Sequence, residues 1–251
     1  KPQAEKLQRE LTGMNGTVTK LDTARKTEDR PLLFDLTELQ REANRRFGYT
    51  AQETLSIAQS LYEKHKLITY PRTDSRYLTT DMKAQIPQLL KKIASVYPES
   101  VPFIQKIASK KLPLDKRIIN DSKVSDHHAI IVTNNIHQYQ PQKLTLRENN
   151  VLKLVMIRMI VALSDKKVYD ETKLEITMDN QKDIFKATGR MIVDEGWTQV
   201  EQVLTGRTGT INIQQADEPK DDKDEDDQQI FTDIALNQRV HLDKVNIIEK
   251  K

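Results

Sequence analysis

The stretch 37-TELQREANRRFGYTAQETLSIAQSLYEKHKLITYPRTDSRYL-78 decides the fold. Its first part carries Leu39, Ala43 and Phe47 at helical spacing, and Gly48 supplies a stop. Thr37 with Gln40 three residues on has the form of a capping box. Thr50 with Glu53 begins a second one. Leu55, Ala58, Leu61 and Tyr62 then fall on one side of a helix reaching Lys66. There the helical period breaks. Pro71 biases Tyr70 away from helix, so 68–72 reads as extended chain leaving a helix pair. Alternate side chains of an extended segment share a face, which puts Tyr70 beside Arg72.

Such a pair can do phosphoryl chemistry. A tyrosine hydroxyl can attack phosphorus, and a guanidinium can hold the non-bridging oxygens in bidentate fashion. A free phenol, with a pKa near 10, is a poor nucleophile; an arginine assists by stabilising phenolate and transition-state charge. Spacing alone leaves a second reading open: a half-buried structural tyrosine beside an Arg72–Asp74 surface pair. The other polar segment of this kind is 117-RIINDSKVSDHHAIIVTNN-135. Ala129 to Val132 form a short apolar run, so His127 and His128 stand where a loop enters the core, pointing in different directions. Neighbouring histidines without HxxxH or cysteine partners do not make a zinc site. On this segment alone a satisfied structural histidine is the favoured reading.

The rest of the chain bounds the answer. In its 251 residues charged side chains make up 31%, aromatics 5%, and there is no cysteine, which excludes disulfides and thiolate metal sites. Net charge is +3, but residues 217–227 carry −6, leaving +9 elsewhere. A basic body suits a polyanionic partner. The run 221-DDKDEDD-227 lacks apolar anchors and reads as a solvated loop, not a magnesium site. The longest apolar region, 151-VLKLVMIRMIVAL-163, is interrupted by Lys153 and Arg158 and is too short for a bilayer. No signal core stands at the N-terminus, which opens as if inside a helix, so a piece of a longer protein is expected.

Strand patterns occupy 16–26, 172–179, 183–190, 209–214 and 239–248. Helical patterns occupy 4–12, 79–98 with a joint at Pro87, 101–111, 147–163 and 194–204, with Trp197 read as core. Sheet material at both ends with helices between predicts an α+β fold, a helical domain inserted into a discontinuous β-rich one.

Together, 31-PLLFDLTELQREANRRFGYTAQETLSIAQSLYEKHKLITYPRTDSRYL-78 and 126-DHHAII-131 resemble the type IA DNA topoisomerases, on the bacterial topoisomerase III branch. The likeness continues more loosely through 181–197 and 239–251. It implies a first part of the arch (hinge) domain at 1–31, a helical gate domain with the tyrosine at 32–146, and a second arch part at 147–251. It also implies a DNA topoisomerase, an isomerase that works without ATP. Tyr70 would attack one strand and carry its 5′ phosphate, Arg72 would position the scissile phosphate, and His127 would contact the backbone. Around them Thr73, Asp74, Ser75, Arg76, Lys123 and His128 are the expected DNA contacts. The family pattern has proline after the isoleucines, where Val132 stands here. It also has a Toprim domain with a catalytic glutamate and a magnesium-binding DxDxE motif, which these residues lack. Magnesium is therefore expected on that domain and no metal here, and the chain alone is expected not to cleave. The implied partners are DNA, mainly single-stranded, and the Toprim domain, in a cytoplasmic, nucleoid-associated setting without membrane. The alternative is a non-catalytic single-stranded-DNA-binding module with a structural tyrosine. A relaxase would show a histidine triad, and no HxH occurs.

Overall fold

The computed structural model describes residues 2–206 and 234–246. They divide into two compact units. The first takes residues 2–27, 168–194 and 234–246, the second 28–167 and 195–206.

The first unit holds helix α1 (Pro2–Leu11) and a four-stranded sheet. Its strands are β1 (Asn15–Glu28), β2 (Lys167–Met178), β3 (Ile184–Asp194) and β4 (Arg239–His241), in the order β3-β2-β1-β4. β2 and β3 form an antiparallel hairpin with Leu174 opposite Ala187, and β4 runs antiparallel to β1 with Gly16 opposite Val240. Gly16 is required by close approach: a Cβ there would stand 2.8 Å from Ile176 Cγ2. The apolar core is thin. Among the described residues, Leu11, Val18, Leu174 and Met178 are its buried hydrophobic side chains. Cross-strand polar pairs do the rest, including Thr23–Thr172 at 2.9 Å and a bidentate Arg25–Asp170 pair at 2.8 and 2.9 Å.

The second unit contains the main core. Its helices are α2 (Leu36–Phe47), α3 (Ala51–Glu63), α4 (Ile86–Val96), α5 (Val101–Ala108), α6 (Leu146–Ala162) and α7 (Trp197–Thr205). α6 is buried nearly all round, as its continuous apolar run requires, and packs on α2, α3 and α7. The compact unit runs on through Lys167, so α6 packs within it, past the 146/147 boundary that the resemblance implied. Trp197 is fully buried, as expected. The glycine before it has φ +52°, and a Cβ there would lie 2.3 Å from the Lys166 carbonyl. Only glycine fits.

The helix ends follow local chemistry. The Thr50–Glu53 capping box forms, and Gly48 closes α2 in the left-handed conformation. The Thr37–Gln40 box does not form. α2 starts earlier, because Asp35 Oδ1 accepts the Glu38 N–H at 2.7 Å and a carboxylate is the stronger cap. Phe47 leaves the apolar stripe, 38% exposed, and packs beside Tyr49. The 79–98 helix splits where Pro87 demands: a 3₁₀ turn at Thr80–Ala84 precedes α4, which holds Pro87 in its first turn. α6 has a box of its own, Thr145 with Glu148.

A buried ionic cluster ties α2, α6 and α7 together. Arg46 pairs with Glu42 and, at 2.9 Å, with Glu201. Arg158 lies 4.0 Å over the Phe34 ring and donates to the Leu32 carbonyl at 3.1 Å. Burial pulls its guanidinium down to about 10, against the pull of Glu42 and Glu201. Burial likewise pushes the Glu201 carboxyl up. The strand segment 209–214, the acidic run and the end of the 239–248 segment lie outside the described residues. Among those described, no helix is long and apolar enough to cross a membrane.

Candidate active site

Extended backbone builds the site. Residues 129–133 thread between Phe34 and residues 67–69, bridging Ile130 to Phe34 and Val132 to Ile68 in antiparallel sense. The Thr69 and Thr133 N–H groups donate to the Ile131 and Leu67 carbonyls, both at 2.9 Å. Ala129, Ile130, Ile131 and Val132 are all buried, so this threading is anchored in the core. The two sequence-distant motifs are thereby fixed side by side, and each hands a side chain outward where it leaves the core.

Those side chains are Tyr70 and His127. Their ring centroids are 4.3 Å apart at 46°. Tyr70 is half-buried and His127 exposed. The Tyr70 hydroxyl makes no hydrogen bond among the described residues, so its oxygen is available to a ligand. On its other side the Tyr70 ring meets Tyr62 of α3 edge-on, at 5.4 Å and 77°. This contact fixes the ring while the tip stays open.

Arg72 is exposed and forms no ion pair with Asp74, against the surface-pair reading. With the Gln59 amide oriented to satisfy its neighbours, Gln59 Oε1 accepts from the Arg72 Nη2 and Nε at 2.9 and 3.2 Å. Gln59 is the residue the sequence reading missed. It stands three positions before Tyr62 on α3, so one helix face backs both Tyr70 and Arg72. A signal was present in the i, i+3 spacing, but nothing in the sequence says which helix face meets the tyrosine loop. The partner's neutrality matters: an amide holds the guanidinium without cancelling its charge.

The remaining expected contacts separate by burial. Thr73 and Ser75 are 7% and 3% exposed, and their hydroxyls are used internally. Thr73 Oγ1 donates to the His127 carbonyl at 2.9 Å, and Ser75 Oγ donates to the Lys123 carbonyl at 2.9 Å. They tie the tyrosine segment to the loop that carries His127. Arg76 is half-buried, donating to the Leu33 carbonyl at 3.3 Å with Glu38 at 4.0 Å, so its charge is also turned inward. Asp74 and Lys123 are exposed, and Lys123 leans over the Tyr77 ring at 5.1 Å. His128 is half-buried with Nδ1 2.8 Å from the Ala129 carbonyl, so the two histidines do diverge. Among the described residues no group of three His, Asp or Glu side chains converges as a metal site would require.

The arrangement brings together a presented phenol, an exposed guanidinium held by a neutral partner, and an imidazole against the phenol ring. The chain matches the DNA topoisomerase family over residues 1–251. It is 42% identical over 190 residues to the DNA topoisomerase 3 of Bacillus cereus, covering 76% of this chain and 25% of that protein. With the DNA topoisomerase 3 of Bacillus subtilis it shares 35% over 221 residues, 88% of this chain and 28% of that one. The chain thus spans about a quarter of the length of the curated relatives it matches. The full-length topoisomerase I of Thermotoga maritima has the same fold over 95% of this chain and 35% of its own, with a TM-score of 0.61 at 20% identity. By this match the chain belongs to the bacterial type IA DNA topoisomerases, on the branch of the DNA topoisomerase 3 proteins.

Proposed function

We propose that this chain supplies the nucleophilic half of an ATP-independent strand-passage reaction on DNA. The Tyr70 oxygen attacks a backbone phosphorus of a single strand. The O–P bond to tyrosine forms, the P–O3′ bond breaks, and the phenolic proton is lost as the departing 3′ oxygen gains one. One phosphodiester replaces another, so the step is nearly isoenergetic and the link can be reversed after a second strand has passed. Arg72 holds the non-bridging oxygens and stabilises the charge that builds on them. His127 contacts the backbone phosphate and, through its ring contact, limits the arc of the phenol. Asp74, Lys123 and His128 flank the strand.

The observation that carries this reading is the hydroxyl of Tyr70, unpartnered among the described residues, on a ring held between contacts to Tyr62 and His127, beside an arginine whose partner there is the neutral Gln59 amide. A structural tyrosine would bury its hydroxyl against an acceptor. The proton donor to the 3′ oxygen and the carboxylates that hold magnesium would come from a Toprim region, with the protein acting in the cytoplasm on nucleoid DNA. The 251 residues alone are then unable to cleave. Incubation with a single-stranded oligonucleotide and magnesium, followed by denaturing electrophoresis, tests this. No covalent adduct is expected, and an adduct formed by these residues alone would overturn the division of labour.

A further inference from the structure

We propose that the cleft between α5 and the turn after α6 is a second strand-binding site, taking one nucleotide of single-stranded DNA with its base on an apolar floor and its phosphate on a lysine rim. It shares no residue with the Tyr70 site and rests on the reading that the chain acts on DNA.

The cleft has a volume of about 160 Å³. Its floor is apolar, built on Phe103, Ile107, Leu163 and Val200. Lys106, Lys110, Lys111 and Lys166 stand around it. The acid lining it is Asp165, which takes Lys110 at 2.8 Å and Lys106 at 3.8 Å. Lys166 reaches away to Asp29 at 2.6 Å, and Asp29 is itself shared with Arg117 at 3.6 Å. Lys111 is exposed and has no ion-pair partner among the described residues.

Part of this pattern has an ordinary cause. Lys106 and the lysines just beyond α5 favour the negative end of that helix. That cause does not call for an apolar floor, nor for a lysine such as Lys111 left without an ion-pair partner among the described residues. Like charges around one concavity repel, and low-dielectric walls focus their field. An occupant that relieves both features is anionic at one end and flat and apolar at the other. A nucleotide of a single strand has that form, and stacking on an aromatic ring with lysines on the backbone is how such strands are held without sequence preference.

The test uses the 251-residue chain and a fluorescein-labelled oligothymidylate, with anisotropy read across a salt series. A Lys106→Ala/Lys111→Ala pair should weaken binding about tenfold at low salt and flatten the slope of log K against log salt by about one. Phe103→Leu keeps the packing but loses the stacking face, and should weaken binding about fivefold with the salt slope unchanged. Lys83→Ala/Lys91→Ala removes the same charge elsewhere, and thermal melts check that each variant is folded. Loss in the cleft variants with little loss in the control supports the site. Equal loss in cleft and control pairs overturns it, as does wild-type-like binding by both cleft variants. Should Arg72→Ala alone weaken binding, the cleft is wrong and the Tyr70 reading survives. Should the cleft variants alone weaken it, the cleft stands and DNA contact at Arg72 fails. Absence of binding by the unaltered chain overturns the cleft.

Discussion

Glu148 is the group on which the backing helix of the site depends, and replacing it by alanine should cost the helical unit about 2–3 kcal/mol at neutral pH. Its carboxylate closes the capping box of α6, accepting the Thr145 N–H at 2.8 Å and hydroxyl at 2.9 Å. It also accepts the Ser60 hydroxyl of α3 at 2.6 Å and has His65 Nε2 at 3.3 Å. Burial alone would raise the group. The Ser60 and Thr145 hydrogen bonds and the His65 ring outweigh it and bring the pKa from 4.5 to about 2. Such a fall is equivalent to about 3.4 kcal/mol as an upper bound. Independently, a charge-assisted hydrogen bond contributes about 1.5–3 kcal/mol. A cap contributes about 1 kcal/mol. The sign follows from a depressed folded pKa: the stabilisation is fully present above the unfolded value of 4.5 and is lost as pH falls toward 2. About 1.4 kcal/mol of it should be gone by about pH 3.5. The assay is urea denaturation followed by fluorescence of Trp197, the chain's one tryptophan, which lies buried in the same unit. The reasoning is refuted by a loss under about 1 kcal/mol at pH 7, or by a gap between wild type and Glu148→Ala that does not narrow on acidification.

Three further outcomes are expected. Arg158→Ala should destabilise the same unit by about 3 kcal/mol or more, because it strands the buried Glu201 with less compensation; the same fluorescence titration reads it. Gly196→Ala should cost at least about 2 kcal/mol, since the new methyl meets the Lys166 carbonyl at a positive φ; a thermal melt unchanged from wild type would contradict this. In a chimera carrying these residues in place of the matching segment of the Bacillus subtilis DNA topoisomerase 3, Gln59→Ala should slow strand cleavage about tenfold at saturating DNA. Gln59→Glu should slow it more, by neutralising the guanidinium that alanine only loosens.

The helix pair was legible because its signals are local: Thr50 with Glu53, Gly48, and the apolar period of α3 depend on neighbours within a turn. The strands of the first unit were legible for the same reason, from alternation in 172–179. The α+β class followed. The start of α2 was placed two residues late, because the carboxylate of Asp35 caps the helix in place of the hydroxyl of Thr37. At the site, Tyr70, Arg72 and His127 stood out because their residue types and spacing suit phosphoryl chemistry. That Thr73 and Ser75 turn their hydroxyls to the backbone carbonyls of His127 and Lys123 was not legible, because those partners lie some fifty residues away in sequence. Gln59 was hidden because its role arises only when a helix face and a loop meet, a long-range event with no local mark.

The central claim is that Tyr70 becomes covalently attached to DNA. The most direct measurement is peptide mapping by mass spectrometry of the adduct trapped when the Bacillus subtilis chimera is denatured during reaction with a single-stranded oligonucleotide. A 5′-phosphorylated nucleotide on the peptide bearing Tyr70, and none in the Tyr70→Phe chimera, is the predicted result. An adduct on any other residue, or one that persists in Tyr70→Phe, would contradict it.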